Sequence, residues 1–360
     1  MRNNLPIITI IIATYNSERT LGRTLFSIRK QTIQQKKLEI LVVDGGSKDK
    51  TLSLAKAYRC RIIKNPMVEP VHAKYLGFFK ARGKYIIGLD HDEVFVNEKS
   101  LEERLKIFNQ DNRVKAIHSS GYITPSHSNP INYYVNEFGD PFSFFIYRLT
   151  KDFRFFVPSL RKRYNVIYED TNYIVIKTST KEGRVPLMEV LAAGGIADRS
   201  YLLKNFRKIS KNKLLFLPNL LVHLLSLSPY IAVMKNDPLY HYSAENAGKY
   251  LKKLEWRIKN NIYFTHTTGS AGFLRRERYE GRNTTIQKYL FIPYSLSIVL
   301  PFLDALWLCV TRKNLSYLVH VPLSVITAIL IVYHYTKRSF GFSPTLTSYD
   351  GSRKILKKWQ

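Results

Sequence analysis

The stretch "YIIGLDHDEVF" (Tyr85–Phe95) decides the fold, because an apolar run ends there in a cluster of charged residues. Its first five residues predict a buried strand. Asp90 and Asp92 follow at positions i and i+2, so both carboxylates can turn toward one point where the chain leaves the sheet. Such a pair repels itself unless a divalent cation that prefers oxygen ligands lies between the two groups. An isolated Asp-x-Asp triplet is usually a solvated turn, so its interpretation depends on the neighbouring strands.

Strands and helices alternate over residues 1–120. The β-branched run "IITIIIA" (Ile7–Ala13) and the run "LEILVVD" (Leu38–Asp44) predict two strands that are covered on both faces. A short strand is predicted in "RIIKNP", and the spacing of apolar residues predicts helices near residues 18–33, 50–58 and 71–81. This alternation indicates an α/β fold with a mostly parallel, Rossmann-like, doubly wound sheet.

Polar residues follow three of these strands: Thr14-Tyr15-Asn16, Asp44-Gly45-Gly46 and Asp90-His91-Asp92. Parallel strands bring their carboxyl ends to one edge of the sheet, where ligands of such folds bind. Asp44 can accept hydrogen bonds from a base or a ribose. The sequence therefore predicts a nucleotide diphosphate held through a metal ion at this edge.

Three ordered blocks of the chain resemble the family 2 glycosyltransferases of the GT-A type: "ITIIIATYNSERTLGRTLFSIRKQT", "EILVVDGGSKDKT" and "HAKYLGFFKARGKYIIGLDHDE". The resemblance covers residues 6–95 well and continues more loosely to about residue 245. It implies a GT-A (nucleotide-diphospho-sugar transferase) fold and an inverting enzyme that uses a nucleotide-sugar donor with Mg²⁺ or Mn²⁺. The chemistry agrees with this, because negative charge builds on the departing diphosphate during glycosyl transfer and a metal ion stabilises that charge.

The resemblance also implies roles for donor-side residues by their positions. Thr14-Tyr15-Asn16 would border the nucleotide, and Asp44 would hold its base. Lys74, in "AKYLG", occupies a position that is often arginine in the family, and it would reach the donor together with Asp90. Lysine lacks the planar fork of arginine, so this contact differs from the family's pattern.

A metal site is implied in the same way. Asp90 and Asp92 match the family's Asp-x-Asp motif for metal and diphosphate. His241, in "NDPLYHY", matches a histidine that often follows this region. It would ligate the metal or contact the diphosphate, and a packing role is the alternative. Glu93 matches no role and is expected at the surface, and His91 is expected to point away from the metal.

The catalytic base is the open question. Inversion requires a carboxylate that deprotonates the acceptor hydroxyl. The segment "MEVLAAGGIADRSYLLKNF" (Met188–Phe206) resembles the acceptor side of the family, but Asn219 lies near the usual acidic position, and an amide cannot act as a base. The remaining candidates are Glu189, Asp198 and Asp237, and their spacing does not decide among them. Glu189 could equally lie on a helix face, and Asp198 could equally cap a helix.

Processive members of the family carry a Gln-x-x-Arg-Trp block. This chain has "LKKLEWRIKN", in which Trp256 and Arg257 stand in the opposite order with no glutamine before them. We therefore expect a non-processive enzyme that adds a single sugar.

Two apolar stretches, Tyr289–Val310 and Leu315–Tyr335, predict a membrane-associated helical hairpin near the C-terminus. They carry one formal charge, Asp304, and each is long enough to cross a bilayer, for which about 20 apolar residues suffice. Prolines at positions 293, 301 and 322 leave re-entrant or in-plane helices open, and buried helices of a soluble protein are the remaining alternative.

The predicted domains are a nucleotide-sugar-binding half at 1–120, an acceptor-binding half with a basic helical extension at 121–285, hydrophobic membrane-associated helices at 286–336, and a basic tail at 337–360. Lys and Arg outnumber Asp and Glu by 56 to 27, which favours anionic partners. The expected partners are a nucleotide-sugar donor, a lipid-linked (polyprenyl or dolichyl phosphate) or glycan acceptor and membrane lipids, with no nucleic acid. The expected location is the cell membrane, with the catalytic domain facing the cytoplasm.

Two alternatives remain open. A nucleotidyltransferase would also be α/β with metal-binding carboxylates, but it would need a Gly-rich phosphate loop where this chain has Thr-Tyr-Asn. A catalytically degenerate GT-A scaffold that binds membranes or nucleic acid through its basic surface, including Arg275–Arg278, is favoured by the excess charge and the missing base.

Overall fold

The computed structural model describes residues 5–68, 70–178, 193–209, 220–243, 246–264, 282–345 and 347–348. These residues belong to two compact units. The first unit contains the described residues up to 123, from 157 to 178 and from 193 to 241, and the second contains 124–156 and those from 242 onward.

The strands, in chain order, are β1 (Ile8–Thr14), β2 (Leu38–Asp44), β3 (Arg61–Lys64), β4 (Tyr85–Asp90), β5 (Glu93–Phe95), β6 (Ala116–His118), β7 (Tyr122–Ile123), β8 (Asn165–Glu169), β9 (Tyr173–Lys177), β10 (Ile196–Asp198), β11 (Tyr230–Met234) and β12 (Leu239–His241). Among the described residues, nine strands form one sheet in the order β3-β2-β1-β4-β10-β6-β11-β9-β8, and β5, β12 and β7 form a second sheet.

The α-helices, in chain order, are α1 (Glu18–Arg29), α2 (Thr51–Ala57), α3 (Pro70–Lys80), α4 (Ser100–Gln110), α5 (Pro130–Phe138), α6 (Pro141–Tyr147), α7 (Phe153–Arg163), α8 (Arg199–Ile209), α9 (Leu220–Leu227), α10 (Ala247–Tyr263), α11 (Arg282–Leu296), α12 (Val299–Arg312) and α13 (His320–Ser339). The predicted α/β alternation over residues 1–120 is confirmed.

The parallel half of the large sheet is built on β1. It pairs in parallel with β2 and with β4, and β2 pairs in parallel with β3. Successive residues of β1 point to opposite faces of the sheet. Ile8, Ile10 and Ile12 lie on one face and pack in an apolar core with Leu21 and Leu25 of α1. A strand that buries both faces needs the near-continuous apolar run that predicted it.

The second half of the sheet is mixed, unlike the mostly parallel sheet that was predicted. β10 lies between β4 and β6 and is antiparallel to both. β11 is parallel to β6, whereas β9 is antiparallel to β11 and to β8. Four of these strands, β8, β9, β10 and β11, fall within residues 121–245. That segment looked like loops and short elements because each of these strands has five residues or fewer and no long apolar run.

The second unit is helical. Aromatic side chains of α5 and α6 form its core with Tyr317 and with apolar residues of α10, α12 and α13. The division into two units differs from the predicted boundaries, because residues up to 241 complete the first unit and α5 and α6 belong with the C-terminal helices.

The first predicted membrane stretch is not one straight helix. α11 and α12 meet at an angle of 92°. Ile298, between them, has a φ of 57°, which a β-branched residue rarely adopts. Pro301 has no N–H group, so it cannot donate the helical hydrogen bond to the carbonyl oxygen of Ser297. That oxygen instead accepts a hydrogen bond from the Val299 N–H at 2.5 Å. The second stretch lies in Leu315–Ser339, the one described helical segment long and apolar enough to cross a membrane unaided. A simple two-helix hairpin is therefore not clearly present.

The position of α3 depends on Gly77, which allows this helix to lie directly against β1. A Cβ atom at Gly77 would overlap Cγ2 of Ile11, whereas a Cβ atom at Gly22 in α1 would meet nothing within 4 Å. Because Lys74 lies one turn before Gly77, this close approach also sets the distance of Lys74 from the end of β4.

We expect Gly77→Ala to lower the free energy of unfolding by about 1–3 kcal/mol through overpacking. Gly22→Ala is the matched control, and it should be neutral or stabilise α1 by up to about 1 kcal/mol. Urea unfolding of both variants measures the difference. Equal effects of the two substitutions would contradict the close packing of α3 on β1.

Candidate active site

The carboxyl ends of β1, β2 and β4 lie side by side, as their parallel order predicts. Thr14 is opposite Asp44 across β1 and β2, and Ala13 is opposite Asp90 across β1 and β4. The register therefore brings the three predicted strand-end clusters to the same edge of the sheet.

The Asp44 carboxylate organises the loop that follows β2. It is almost fully buried, and it accepts hydrogen bonds from Thr14 Oγ1 at 2.9 Å and from Ser47 Oγ at 2.5 Å. The backbone N–H groups of Gly46 and Ser47 also donate to it, both at 2.8 Å. These bonds satisfy a buried carboxylate that would otherwise be costly, and they bend the loop around the end of β2.

The loops after β1 and β2 are joined to each other. The Asn16 N–H donates to Ser47 Oγ at 2.8 Å, and Asn16 Oδ1 accepts from the Lys48 N–H at 2.9 Å. Asn16 has a φ of 49°, a left-handed conformation that asparagine tolerates better than most residues. The residues predicted to border a nucleotide thus form one hydrogen-bonded surface.

Gly45 lies between two side chains of this surface. A Cβ atom there would come within 3.1 Å of Val68 Cγ1 and 3.2 Å of Tyr15 Cδ2. Val68 has a φ of 63°, an unusual conformation for a β-branched residue. Such outliers concentrate at functional sites, and the apolar segment around Val68 carried no sequence signal that would have singled it out.

Lys74 and Asp90 form an ion pair at this edge, with Lys74 Nζ 3.0 Å from Asp90 Oδ1. Burial raises the pKa of the Asp90 carboxyl, but the Lys74 ammonium outweighs it, aided by His241 and His91, so this pKa lies well below its usual range. Asp90 is therefore ionised at neutral pH, and Lys74 places positive charge where a diphosphate is predicted.

Asp92 and His241 face each other, with 3.8 Å between Asp92 Oδ2 and His241 Nε2. Tyr122 stacks on the His241 ring with 4.6 Å between ring centroids. β12 holds His241 opposite Glu93 of β5, so two strands fix the separation of the carboxylate and the imidazole. Within the described ranges, no three His, Cys, Asp or Glu side chains form a metal site by themselves.

Glu93 is buried, not at the surface as expected. It is 1% exposed, and its Oε2 accepts from the Asp90 N–H at 3.0 Å while Oε1 accepts from the Tyr122 hydroxyl. Burial, followed by the charge of Asp90, raises the pKa of Glu93 to about 8. The alternation in "EVF" gives the missed signal, because Glu93 and Phe95 point to the same buried side while Val94 points to the other.

His91 points away from the other two residues of its triplet, as expected. Its Nδ1 lies 2.8 Å from Thr20 Oγ1, and its carbonyl oxygen accepts from Thr24 Oγ1 at 2.8 Å. These contacts anchor the loop after β4 on α1.

Asp198, a predicted base, lies at the opposite edge of the sheet. It is opposite Tyr85 at the start of β4, whereas Asp90 is at the end of that strand. Its Oδ1 accepts the Tyr201 N–H at 2.9 Å, so it caps α8, the alternative that the sequence left open. Because β10 runs antiparallel to β4, Asp198 lies at the edge opposite Asp90. This placement argues against Asp198 as the base.

Asp237, the second candidate, is sealed inside the first unit. It is fully buried, and its Oδ2 accepts hydrogen bonds from Arg104 Nε and from Ser100 Oγ, both at 2.8 Å. A terminal nitrogen of Arg104 lies 2.7 Å from the same oxygen and completes the ion pair. Arg104 also donates to the carbonyl oxygen of Gly194. A carboxylate that is fully buried and paired with an arginine cannot reach an acceptor hydroxyl. Arg104 itself was missed because it looked like one more charge on the surface of α4.

Three other predicted features fall outside the described residues: Glu189, Asn219 and the basic run Arg275–Arg278.

Residues 9–166 match the sequence family described as Glycosyl transferase family 2. They form a family 2 glycosyltransferase domain. This domain contains the β1, β2 and β4 edge with Asp44, Lys74 and the Asp90–Asp92 pair. The predicted family is confirmed for these residues, and so is the predicted α/β fold.

Curated relatives carry glycosyltransferase names. The chain is 33% identical over 117 residues to an uncharacterized glycosyltransferase of Haemophilus influenzae, covering 31% of this chain and 46% of that protein. It is 30% identical over 145 residues to the O-antigen chain rhamnosyltransferase WbaN of Salmonella anatum, covering 37% of this chain and 42% of that protein. The matches thus span less than half the length of these two relatives.

One solved structure aligns with most of the chain at a low score. Residues 1–349 of Staphylococcus aureus TarS, in complex with UDP-GlcNAc, match 98% of this chain and 97% of that chain at 14% identity, with a TM-score of 0.46. At this score the likeness supports no statement about individual residues.

We expect Glu93→Gln to fold and Glu93→Ala to lose about 1–3 kcal/mol of stability, because alanine leaves a buried N–H and a buried hydroxyl without their acceptor. The raised pKa adds a pH dependence. The protonated form of Glu93 favours the folded state fully below its ordinary pKa of 4.5, and this contribution is lost as pH rises through about 8.

Urea unfolding of the metal-free protein across that pH window is the measurement. The wild type should lose stability relative to Glu93→Gln as the pH rises. Parallel curves for the two proteins would show that Glu93 is not the buried neutral acid described above.

Proposed function

We propose that this protein is an inverting glycosyltransferase that moves one sugar from a nucleotide-sugar donor to a lipid-linked or surface-glycan acceptor. The observation that carries the proposal is the arrangement at the carboxyl-end edge of β1, β2 and β4, where residues of the family 2 domain face His241 of β12. There the Asp44-centred loop, the Lys74–Asp90 pair and the facing Asp92 and His241 lie at neighbouring strand ends.

The donor's nucleotide would lie on the joined loops after β1 and β2. Asp44 holds this surface in shape with four hydrogen bonds, so its carboxylate oxygens already have partners. In our proposal Asp44 therefore acts first by positioning Tyr15, Asn16 and Gly45, and any contact with the base adds to that role.

The residues beside the diphosphate suit a divalent cation. Asp92 offers a carboxylate and His241 an imidazole, at a separation that is too long for a hydrogen bond between them. Mg²⁺ is commonly bound by one or two carboxylates together with substrate phosphates, and Mn²⁺ accepts oxygen ligands in the same way. When bound, Mg²⁺ or Mn²⁺ would offset the charge that builds on the leaving diphosphate.

Lys74 would add to this stabilisation from α3. Its ammonium group pairs with Asp90 before donor binds, so the positive charge is already in place when the diphosphate arrives. Of the three candidate bases, Asp198 and Asp237 have structural roles, and Glu189 stays a prediction.

The acceptor and the location are proposed from charge and hydropathy. An excess of Lys and Arg over Asp and Glu, 56 to 27, suits a polyprenyl or dolichyl phosphate carrier and an anionic membrane. Apolar helices in the second unit suit a transferase held at the cell membrane, with the donor site on the cytoplasmic side.

A second reading is a degenerate transferase scaffold that binds anionic surfaces without catalysis. The structural roles of Asp198 and Asp237 favour it, because they remove two of the three candidate bases. In that case Asp92→Ala would leave the cellular function intact, while charge reversal at Arg275–Arg278 would abolish it.

The test is a panel of nucleotide sugars with and without Mn²⁺, scored by calorimetry for binding and by product release for slow donor hydrolysis. At least one donor should bind about tenfold or more tightly with metal, and Asp92→Asn should remove that gain. Asp198→Asn is the matched control, a buried aspartate of the same sheet at the other edge, and it should keep the gain. If no donor in the panel responds to the metal, the proposal fails.

A further inference from the structure

The outer face of α12 is apolar from Val299 to Val310. Every exposed residue of this helix from position 299 to 310 is apolar: Val299, Leu300, Phe302, Leu303, Leu306, Trp307 and Val310. Contiguous exposed apolar surface of this kind marks an interaction site in a folded protein. We call these seven residues the α12 face.

Polar and charged groups of the same helices point the other way, into the second unit. Asp304, the one formal charge within α12 before its last residue, is paired with the Arg148 guanidinium through two bonds of 2.7 Å. Its Oδ2 also accepts the Tyr294 hydroxyl at 2.6 Å. The charge that would oppose contact with lipid is therefore neutralised on the protein side.

α13 also has polar residues on its buried side and apolar residues on its exposed side. Its buried side carries His320, Ser324, Thr327 and His334, whereas Ile329 and Val332 are exposed. His320 lies between two tyrosines, 2.6 Å from the Tyr134 hydroxyl and 2.8 Å from that of Tyr294. A helix in water turns its apolar side inward, and polar residues facing the interior of a bundle are typical of helices in contact with lipid.

The last turn of α12 repeats the pattern. Arg312 pairs with buried Glu137, at 2.9 Å from Nε and 2.8 Å from a terminal nitrogen. The Tyr317 hydroxyl also donates to Glu137. The charges of α12 are thus paired inside the second unit, while leucine, valine and tryptophan are exposed.

The length and direction of α12 decide how it can meet a bilayer. Its 14 residues extend about 21 Å at 1.5 Å per residue, which is short of the hydrocarbon thickness of about 30 Å. α11 cannot extend it across, because the two helices meet at 92°. An apolar face on a short helix that cannot span fits a helix lying in the plane of the interface.

We propose that the α12 face docks into the headgroup region of an anionic phospholipid bilayer, with the axis of α12 parallel to the membrane plane. Trp307, toward the C-terminal end of the face, is the residue type that prefers this depth. The formal net charge of +29 selects anionic over neutral lipid. This surface goes beyond the proposed transferase activity, and it would exist in a protein with no active donor site.

The first experiment is flotation of the purified full-length protein with two kinds of vesicle, phosphatidylcholine alone and phosphatidylcholine mixed equally with phosphatidylglycerol. Leu303→Asp should reduce binding to the anionic vesicles about tenfold or more. Phe26→Asp, on α1, is the matched control, because Phe26 and Leu303 are both 55% exposed. It should bind as the wild type does, and so should Asp92→Asn, which keeps this outcome separate from failure of the donor site.

The second experiment measures depth by spin labels at Val299→Cys or Val310→Cys, in a background with Cys60→Ser and Cys309→Ala. Both labels should report the same shallow depth, since they lie at opposite ends of α12. A shallow label at one end and a deep label at the other would overturn the in-plane arrangement. Equal flotation of Leu303→Asp and wild type would overturn lipid docking, and a dimer that Leu303→Asp splits would show that a second copy covers the face.

Discussion

The proposed donor site depends on the hydrogen bonds of one buried carboxylate, Asp44. It joins the end of β1 to the loop after β2, and that loop is in turn bonded to Asn16. Because the groups that donate to Asp44 come from two segments, the end of β1 and the loop after β2, the carboxylate holds both in one defined surface. Gly45 and Tyr15 owe their positions to this bonding. A ligand that binds here does not have to order these loops, because they are already ordered in the folded protein, and its binding therefore costs less conformational entropy.

A second electrostatic arrangement supports the first. Asp90 and Glu93 are three residues apart and their pKa values move in opposite directions, because Lys74 faces one carboxyl and burial dominates the other. Two ionised carboxylates beside Asp92 would repel one another, and protonating Glu93 removes one of them. The neutral acid can then bond to the Asp90 N–H and the Tyr122 hydroxyl without adding a charge beside Asp92.

The parallel half of the fold and the donor edge could be predicted from sequence, whereas the candidate bases could not. β1, β2 and β4 are long apolar runs, and parallel strands leave no choice about which ends meet. β10 has three residues and runs antiparallel, so Asp198 lies at the far edge, and no local pattern records that direction. Asp237 is held by Arg104, 133 residues earlier in the chain, and such a partner becomes visible only in three dimensions. Glu93 lies between these cases, since its alternation with Phe95 is local and was readable.

The insertion of β10 between β4 and β6 also has a consequence for folding during synthesis of the chain. β4 has β1 on one side as soon as residue 90 has been synthesised, but its other side waits for residues 196–198. For the intervening hundred or so residues the nascent chain carries an open strand edge with Ile86 and Ile87, the kind of edge that recruits unintended partners. How long this edge stays open is thus set by where one three-residue strand lies in the chain, the same strand that separates the two halves of the sheet.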